Sequence, residues 1–212
     1  MTIRDILANS LPEVLRFFLI TKHYRSPLDY TADALEESER ALKRVYLTKA
    51  AAEAHVAGTK WTNSPLPAEI VVESTALEAK WDEAMADDMN TAAALGHVFV
   101  LMKTVNRILE DKSLKKSEQG RDLVRHALKL FERWGEVLGL FLTPSADFLA
   151  QLKSSRVRRK QIDTALIEAR LAERQEARAA KDFDRSDAIR DELLALGVTI
   201  QDTAQGAQWD VE

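Results

Sequence analysis

The residues most able to do chemistry lie near the end of the chain. Arg178 and Lys181 close one helical pattern, Phe183 follows, and Asp187 and Arg190 share a face of the next helix at i and i+3. Gly197, a short apolar run Val198-Thr199-Ile200, Asp202, a Gln205-Gly206 turn and Trp209 complete the set. An aromatic ring can stack on an unstacked base. Arginines can donate to base edges or phosphates, and aspartates can accept from exocyclic amines. The competing reading is a helical hairpin with solvated charges and an internal Asp187–Arg190 pair. On chemistry alone that plainer reading weighs more.

A basic cluster precedes this stretch: Lys153, Arg156, Arg158, Arg159 and Lys160, with no acid among them. Arg158 and Arg159 are candidates for tracking a phosphate backbone, and such runs are as often exposed linkers. No enzyme active site is legible. The sequence has no Gly-rich phosphate loop, no Gly-x-Ser-x-Gly elbow and no His-Glu-x-x-His. Its four histidines, His23, His55, His97 and His126, lack ligand spacing. Asp87-Asp88 precedes Asn90-Thr91 and reads as helix capping rather than paired catalytic carboxylates.

The elements that must position these residues are mostly helical. In 212 residues there are only 7 Gly and 5 Pro, with 46% apolar and 30% charged side chains. Cysteine is absent, which excludes disulfides and thiolate metal sites. A net charge of −4 argues against whole-surface nucleic-acid binding, while leaving room for a local basic site. No leader peptide is expected, the most apolar stretch is placed at Val14 to Thr21, and neither a membrane nor DNA is expected as a partner.

Ser10 with Glu13 reads as a capping box opening a helix whose stripe is Val14, Leu15, Phe18 and Leu19. Thr31 or Asp33 opens a long helix to about Gly58. Residues 58–68 form a connector, and helices follow at about 69–85, from Asn90, and at 118–138, ended by Gly139. A helix at 161–181 is expected to face inward through Ile162, Leu166 and Ala169. The next, from Asp182 or Asp184, is expected to do so through Ile189, Leu193 and Leu196, with Gly197 at C′. The fold class is mainly α: an antiparallel helical bundle followed by a small mixed α/β domain.

Several ordered segments resemble cysteinyl-tRNA synthetase. They are Thr2-Ile3-Arg4-Asp5-Ile6-Leu7, Val14 to Leu19, His23-Tyr24-Arg25-Ser26-Pro27-Leu28-Asp29-Tyr30, Asp87-Asp88-Met89-Asn90-Thr91, Val137 to Leu140, Arg178 to Asp191 and Gly197 to Trp209. The resemblance implies a stem-contact-like region at 1–30 and a class I synthetase, DALR-like anticodon-stem bundle at 31–143. It further implies a basic linker at 144–160 and an anticodon-reading domain at 161–212. It also implies tRNA(Cys) as partner, with Arg178, Asp187 and Asp202 bonding bases of the GCA anticodon. Phe183 would stack where the family usually has Trp, with Arg190, Trp209, Arg158 and Arg159 as further contacts.

The family's His-Ile-Gly-His and Lys-Met-Ser-Lys-Ser motifs and its zinc ligands do not occur in the sequence. ATP and zinc would therefore belong to a catalytic domain outside it, in cis or in trans, and no cofactor is expected here. Residue 1 falls just after the expected position of the Lys-Met-Ser-Lys-Ser loop. The chain is then either the C-terminal half of a synthetase or a truncated relative. The rival is a helical interaction scaffold with an exposed apolar patch at Ile3, Ile6 and Phe17. A cytoplasmic location is expected.

Overall fold

The computed structural model describes residues 2–203 and 206–211, so Gln205 of the expected turn lies outside the described residues. The chain divides into two compact units, Met1–Leu149 and Ala150–Glu212.

The first unit is a helical bundle. Its elements are α1 (Ile3–Leu7), α2 (Pro12–Ile20), α3 (Ala32–Val56), α4 (Ala68–Ala86), α5 (Thr91–Glu110), a 3-10 turn (Leu114–Lys116) and α6 (Glu118–Leu138). The caps follow local chemistry. Thr31 accepts from the Ala34 amide and Asn90 from the Ala93 amide; Gly139 ends α6 in the left-handed region. The core runs through Leu42, Val45 and Tyr46 of α3, Leu95, Val98 and Val105 of α5, and Val124, Phe131 and Trp134 of α6. Trp81 stacks on Trp134 at 5.5 Å. By length and composition alone α5 passes for a membrane span, with a mean hydropathy of 1.2. In the bundle α5 packs against α3, α4 and α6.

Three expectations near the start are corrected. Ser10 does not cap α2; Leu11 stands at N-cap without a side-chain bond. Glu13 instead accepts from the Phe141 amide at 2.7 Å and the Tyr46 hydroxyl at 3.0 Å, tying α2 and α3 to the turn after α6. Burial pushes the Glu13 carboxyl up, and these two donors oppose the shift. Phe17 is not part of an exposed patch. It is buried and meets Phe99 edge-on at 6.3 Å, while Leu19, expected inward, is exposed.

Asp88 does not cap α5 either. It accepts from the Tyr24 hydroxyl at 2.7 Å and pairs with Arg25 at 2.9 Å. Asp88 and Met89 both carry φ near +50°, at 53° and 52°, which turns the chain sharply before Asn90.

The expected linker at 144–160 is helical: α7 spans Ser145–Lys160. Its closing Arg158, Arg159 and Lys160 suit a helix C-terminus, where cations meet the negative end of the dipole. The second unit continues with α8 (Thr164–Ala179), α9 (Phe183–Ala195) and an antiparallel hairpin, β1 (Val198–Thr203) and β2 (Gly206–Val211). The register sets Val198 opposite Val211, Ile200 opposite Trp209 and Asp202 opposite Ala207. A small core gathers Ile167, Leu171, Ile189, Leu193 and Val198, with Ile162, Ile200 and Trp209 against it. Leu166, Ala169 and Leu196 were expected inward and are exposed; the buried stripe of α8 is Ile167, Leu171, Arg174 and Ala177.

Candidate nucleic-acid interface

The α8 stripe changes chemistry along its length, and β1 changes with it. Ile167 and Leu171 are apolar, and Arg174 and Arg178 are cationic. On β1, Val198, Ile200 and Asp202 share one face because side chains alternate along a strand. The apolar members join the core, and the charged members meet beyond it. Arg174 grips Asp202 in a fork, with its two terminal nitrogens 2.8 and 3.0 Å from the two carboxylate oxygens. Arg178 adds a third bond to Asp202 at 2.6 Å. Two guanidinium partners, the Arg174 hydrogen bond foremost, hold the Asp202 carboxyl down to about 2. The Asp202 bond in turn raises Arg174, and the charge of Asp187 adds to it.

A tight turn brings α9 beside this cluster. Lys181 takes φ 62°, the Asp182 amide returns to the Ala177 carbonyl at 2.9 Å, and Asp182 caps α9 by accepting from the Arg185 amide. Phe183 is thus the first residue of α9 rather than part of a connection. Phe183 is 62% exposed. Asp187 pairs with Arg190 at 3.0 Å, as one reading of the sequence expects, and Arg190 also bonds Asp191. Both members remain half or more exposed, at 63% and 50%.

Below the cluster, α8 and α9 are laced by four alternating charges. Arg170 bonds Glu173 at 2.7 Å and lies 3.6 Å from Glu192; Arg185 bonds Glu173 at 3.0 Å and lies 3.7 Å from Glu192. Glu173 is lowered by Arg185 first and Arg170 next.

The remaining candidates are placed differently. Trp209 is engaged by its own unit: Lys153 sits 3.5 Å above its ring, its indole N–H donates to Glu168 at 2.6 Å, and Lys153 donates to its carbonyl at 2.7 Å. Burial lowers the Lys153 ammonium, and Asp210 and Glu168 oppose that shift. Arg156, expected in an exposed cluster, is buried and donates to the Val211 carbonyl at 2.6 Å. Arg158 is exposed and Arg159 half-buried. Sequence reasoning missed Arg174. The signal was present: an arginine three residues after Leu171 and seven after Ile167 lies on the apolar stripe, where it needs a buried partner.

Asp202 should lose its hold on both arginines only in strong acid. A depressed carboxyl contributes stability above the unfolded value of about 3.9, and that contribution disappears as pH falls through the folded value. Its carboxyl carbon, followed by NMR, should therefore titrate near 2. A midpoint at the ordinary aspartate position would contradict the paired geometry.

Two family models match. The DALR domain model covers residues 80–143, from within α4 through the turn after α6. The model described as the cysteinyl-tRNA ligase anticodon binding domain covers residues 164–209, the whole of α8, α9 and β1 with most of β2. The chain carries a DALR domain and the anticodon-binding domain of the cysteinyl-tRNA ligase family.

Curated relatives agree with these two domains. A cysteine–tRNA ligase of Oleidesulfovibrio alaskensis is 53% identical over 210 residues, covering 99% of this chain and 43% of the relative. One from Desulfovibrio desulfuricans is 52% identical, over 100% of this chain and 44% of the relative. One from Lawsonia intracellularis is 37% identical, over 99% and 43%. The chain thus spans less than half the length of these relatives. Every paired or exposed residue of the cluster, from Arg174 to Asp202, lies inside the anticodon-binding match. The acidic turn at Asp87-Asp88 lies inside the DALR match. Among the described residues no three His, Asp or Glu side chains are grouped to hold a metal ion.

Proposed function

We propose that this chain binds tRNA(Cys), gripping the anticodon stem through the DALR bundle and reading the GCA anticodon through the α8–α9–β1 cluster. One observation carries the reading. An exposed aromatic, Phe183, and exposed donors and acceptors, Arg178, Asp187, Arg190 and Asp202, stand together on a packed frame within the anticodon-binding match. Stacking tolerates any base, whereas paired donors and acceptors select one. Trp209 serves by holding β2, and Arg158 with Arg159 meets phosphate. This binding step uses no ATP or zinc. Those belong to a catalytic domain, supplied in cis or in trans, with which the bound tRNA would be charged with cysteine.

The test compares a tRNA(Cys) transcript with transcripts carrying one anticodon substitution each, and with an unrelated tRNA, at moderate salt. The substituted transcripts should bind more weakly, by about 1–3 kcal/mol per changed base. Affinities equal to that for unrelated tRNA would end the proposal. Asp187→Ala should relax preference at one base, whereas Arg158→Ala should weaken all transcripts evenly and reduce the salt slope by about 1. An even loss for Asp187→Ala would remove it from base reading.

A further inference from the structure

Arg174 takes no part in the base contacts proposed above, yet the geometry of the cluster depends on it. It is 7% exposed and sits on the packed face of α8. Its fork occupies both oxygens of Asp202, at 2.8 and 3.0 Å, and Arg178 occupies one of them again at 2.6 Å. A carboxylate offers about four acceptor directions. Three are filled, so Asp202 keeps one, on the oxygen that Arg178 does not touch. The fork also fixes the plane of the carboxylate, and a fixed plane fixes where Arg178 is held. Arg178 keeps most of its five N–H donors for another partner.

Packing alone does not explain an arginine here. The Arg174 Nε is buried without a partner, a cost that a lysine or methionine would spare. What those residues lack is a planar fork that holds both oxygens at once.

We propose that Arg174 is a positioning residue: it locks the Asp202 carboxylate and, through it, the Arg178 guanidinium, so that the pair presents one defined acceptor beside defined donors to a single RNA base. This rests on the anticodon-reading proposal for the RNA partner. It does not rest on it for the geometry, which exists without RNA. Asp187 of α9 is the other acid whose charge Arg174 feels.

The test has two arms, both on the full chain. Without RNA, the carboxyl carbon of Asp202 is titrated by NMR in the wild type, Arg174→Lys and Arg174→Met. Asp202 should titrate at least about one pH unit higher in Arg174→Met and be less far displaced in Arg174→Lys. An unchanged Asp202 titration overturns the lock. Should Arg174→Met fail to fold, Arg174→Lys decides this arm by itself.

With RNA, the tRNA(Cys) transcript and its single-substitution variants are bound to the wild type and to Arg174→Lys. Lysine keeps the charge and loses the fork. Discrimination between anticodons should fall by about tenfold while affinity for the substituted transcripts stays within about twofold. Rescue of full discrimination by lysine overturns positioning and leaves only a charge effect. A wild type that does not discriminate overturns the anticodon reading instead, and the RNA-free titration still judges the lock.

Discussion

Glu13→Ala should destabilise the bundle by about 3 kcal/mol, because it removes the carboxylate that two donors in the core share. Those donors are the Phe141 amide and the Tyr46 hydroxyl. Neither can turn to water: Tyr46 is fully buried, its ring stacked on Phe148 at 3.8 Å, and Phe141 is held at φ 61° with its side chain buried. Glu13→Gln keeps one acceptor oxygen and removes the buried charge, so it should lose markedly less.

The pH response separates the two variants. The Glu13 carboxyl is raised by burial, so its charged form costs stability above that value and the cost is relieved as pH falls through it. Glu13→Gln should flatten this part of the profile. The near-ultraviolet signal of the stacked Trp81–Trp134 pair is a suitable probe of the bundle during urea unfolding. An alanine variant as stable as the wild type would show that the turn after α6 is held by something other than Glu13.

The second large effect is on binding. Phe183→Ala should weaken tRNA(Cys) binding by about 1–3 kcal/mol, the usual loss when a base loses its aromatic platform. The unit should remain as stable as before, within about 0.5 kcal/mol, since the ring is 62% exposed and the N-cap of α9 is Asp182. Phe183→Trp should retain binding, since it keeps a stacking face and adds an indole donor. Filter binding and thermal melts of the same preparations check both halves. Undiminished affinity for Phe183→Ala would leave the exposed ring without an RNA role.

The punctuation of the fold was legible because it is local. Thr31, Asn90, Asp182, Gly139 and Gly197 each act on backbone groups within a few residues, so type and position suffice to read them. Arg178, Asp187 and Asp202 stand as base-contact candidates through the family resemblance rather than through local order; Arg178 and Asp202 lie 24 residues apart. What escaped depends on partners far along the chain. Glu13 looked like half of a capping box, and its true donor lies 128 residues away. Arg156 reads as one of an exposed basic run and Arg174 draws no notice, and their acceptors lie 55 and 28 residues away. Leu166 and Leu196 were placed inward because helical periodicity leaves phase ambiguous when leucines flank the true stripe on both sides. The basic segment reads as a linker because its charges dominate the sequence; its packed face mixes the core side chains Phe148 and Leu152 with Ser155 and Arg156, so no long apolar stripe marks it.

The four charges lacing α8 to α9 acquire their meaning from what they forbid. Arg170, Glu173, Arg185 and Glu192 are each more than a third exposed, so their attraction adds little depth to the native well. A displacement by one turn, about 5.4 Å, would separate both contacts that cross between the helices, Arg170–Glu192 and Arg185–Glu173, and take Ile189 away from its packing. It would also carry Phe183 and Asp187 out of line with Arg178 and Asp202. The ladder works as a vernier scale, reading one alignment of the hairpin against its neighbours so that residues from three elements arrive at the same level.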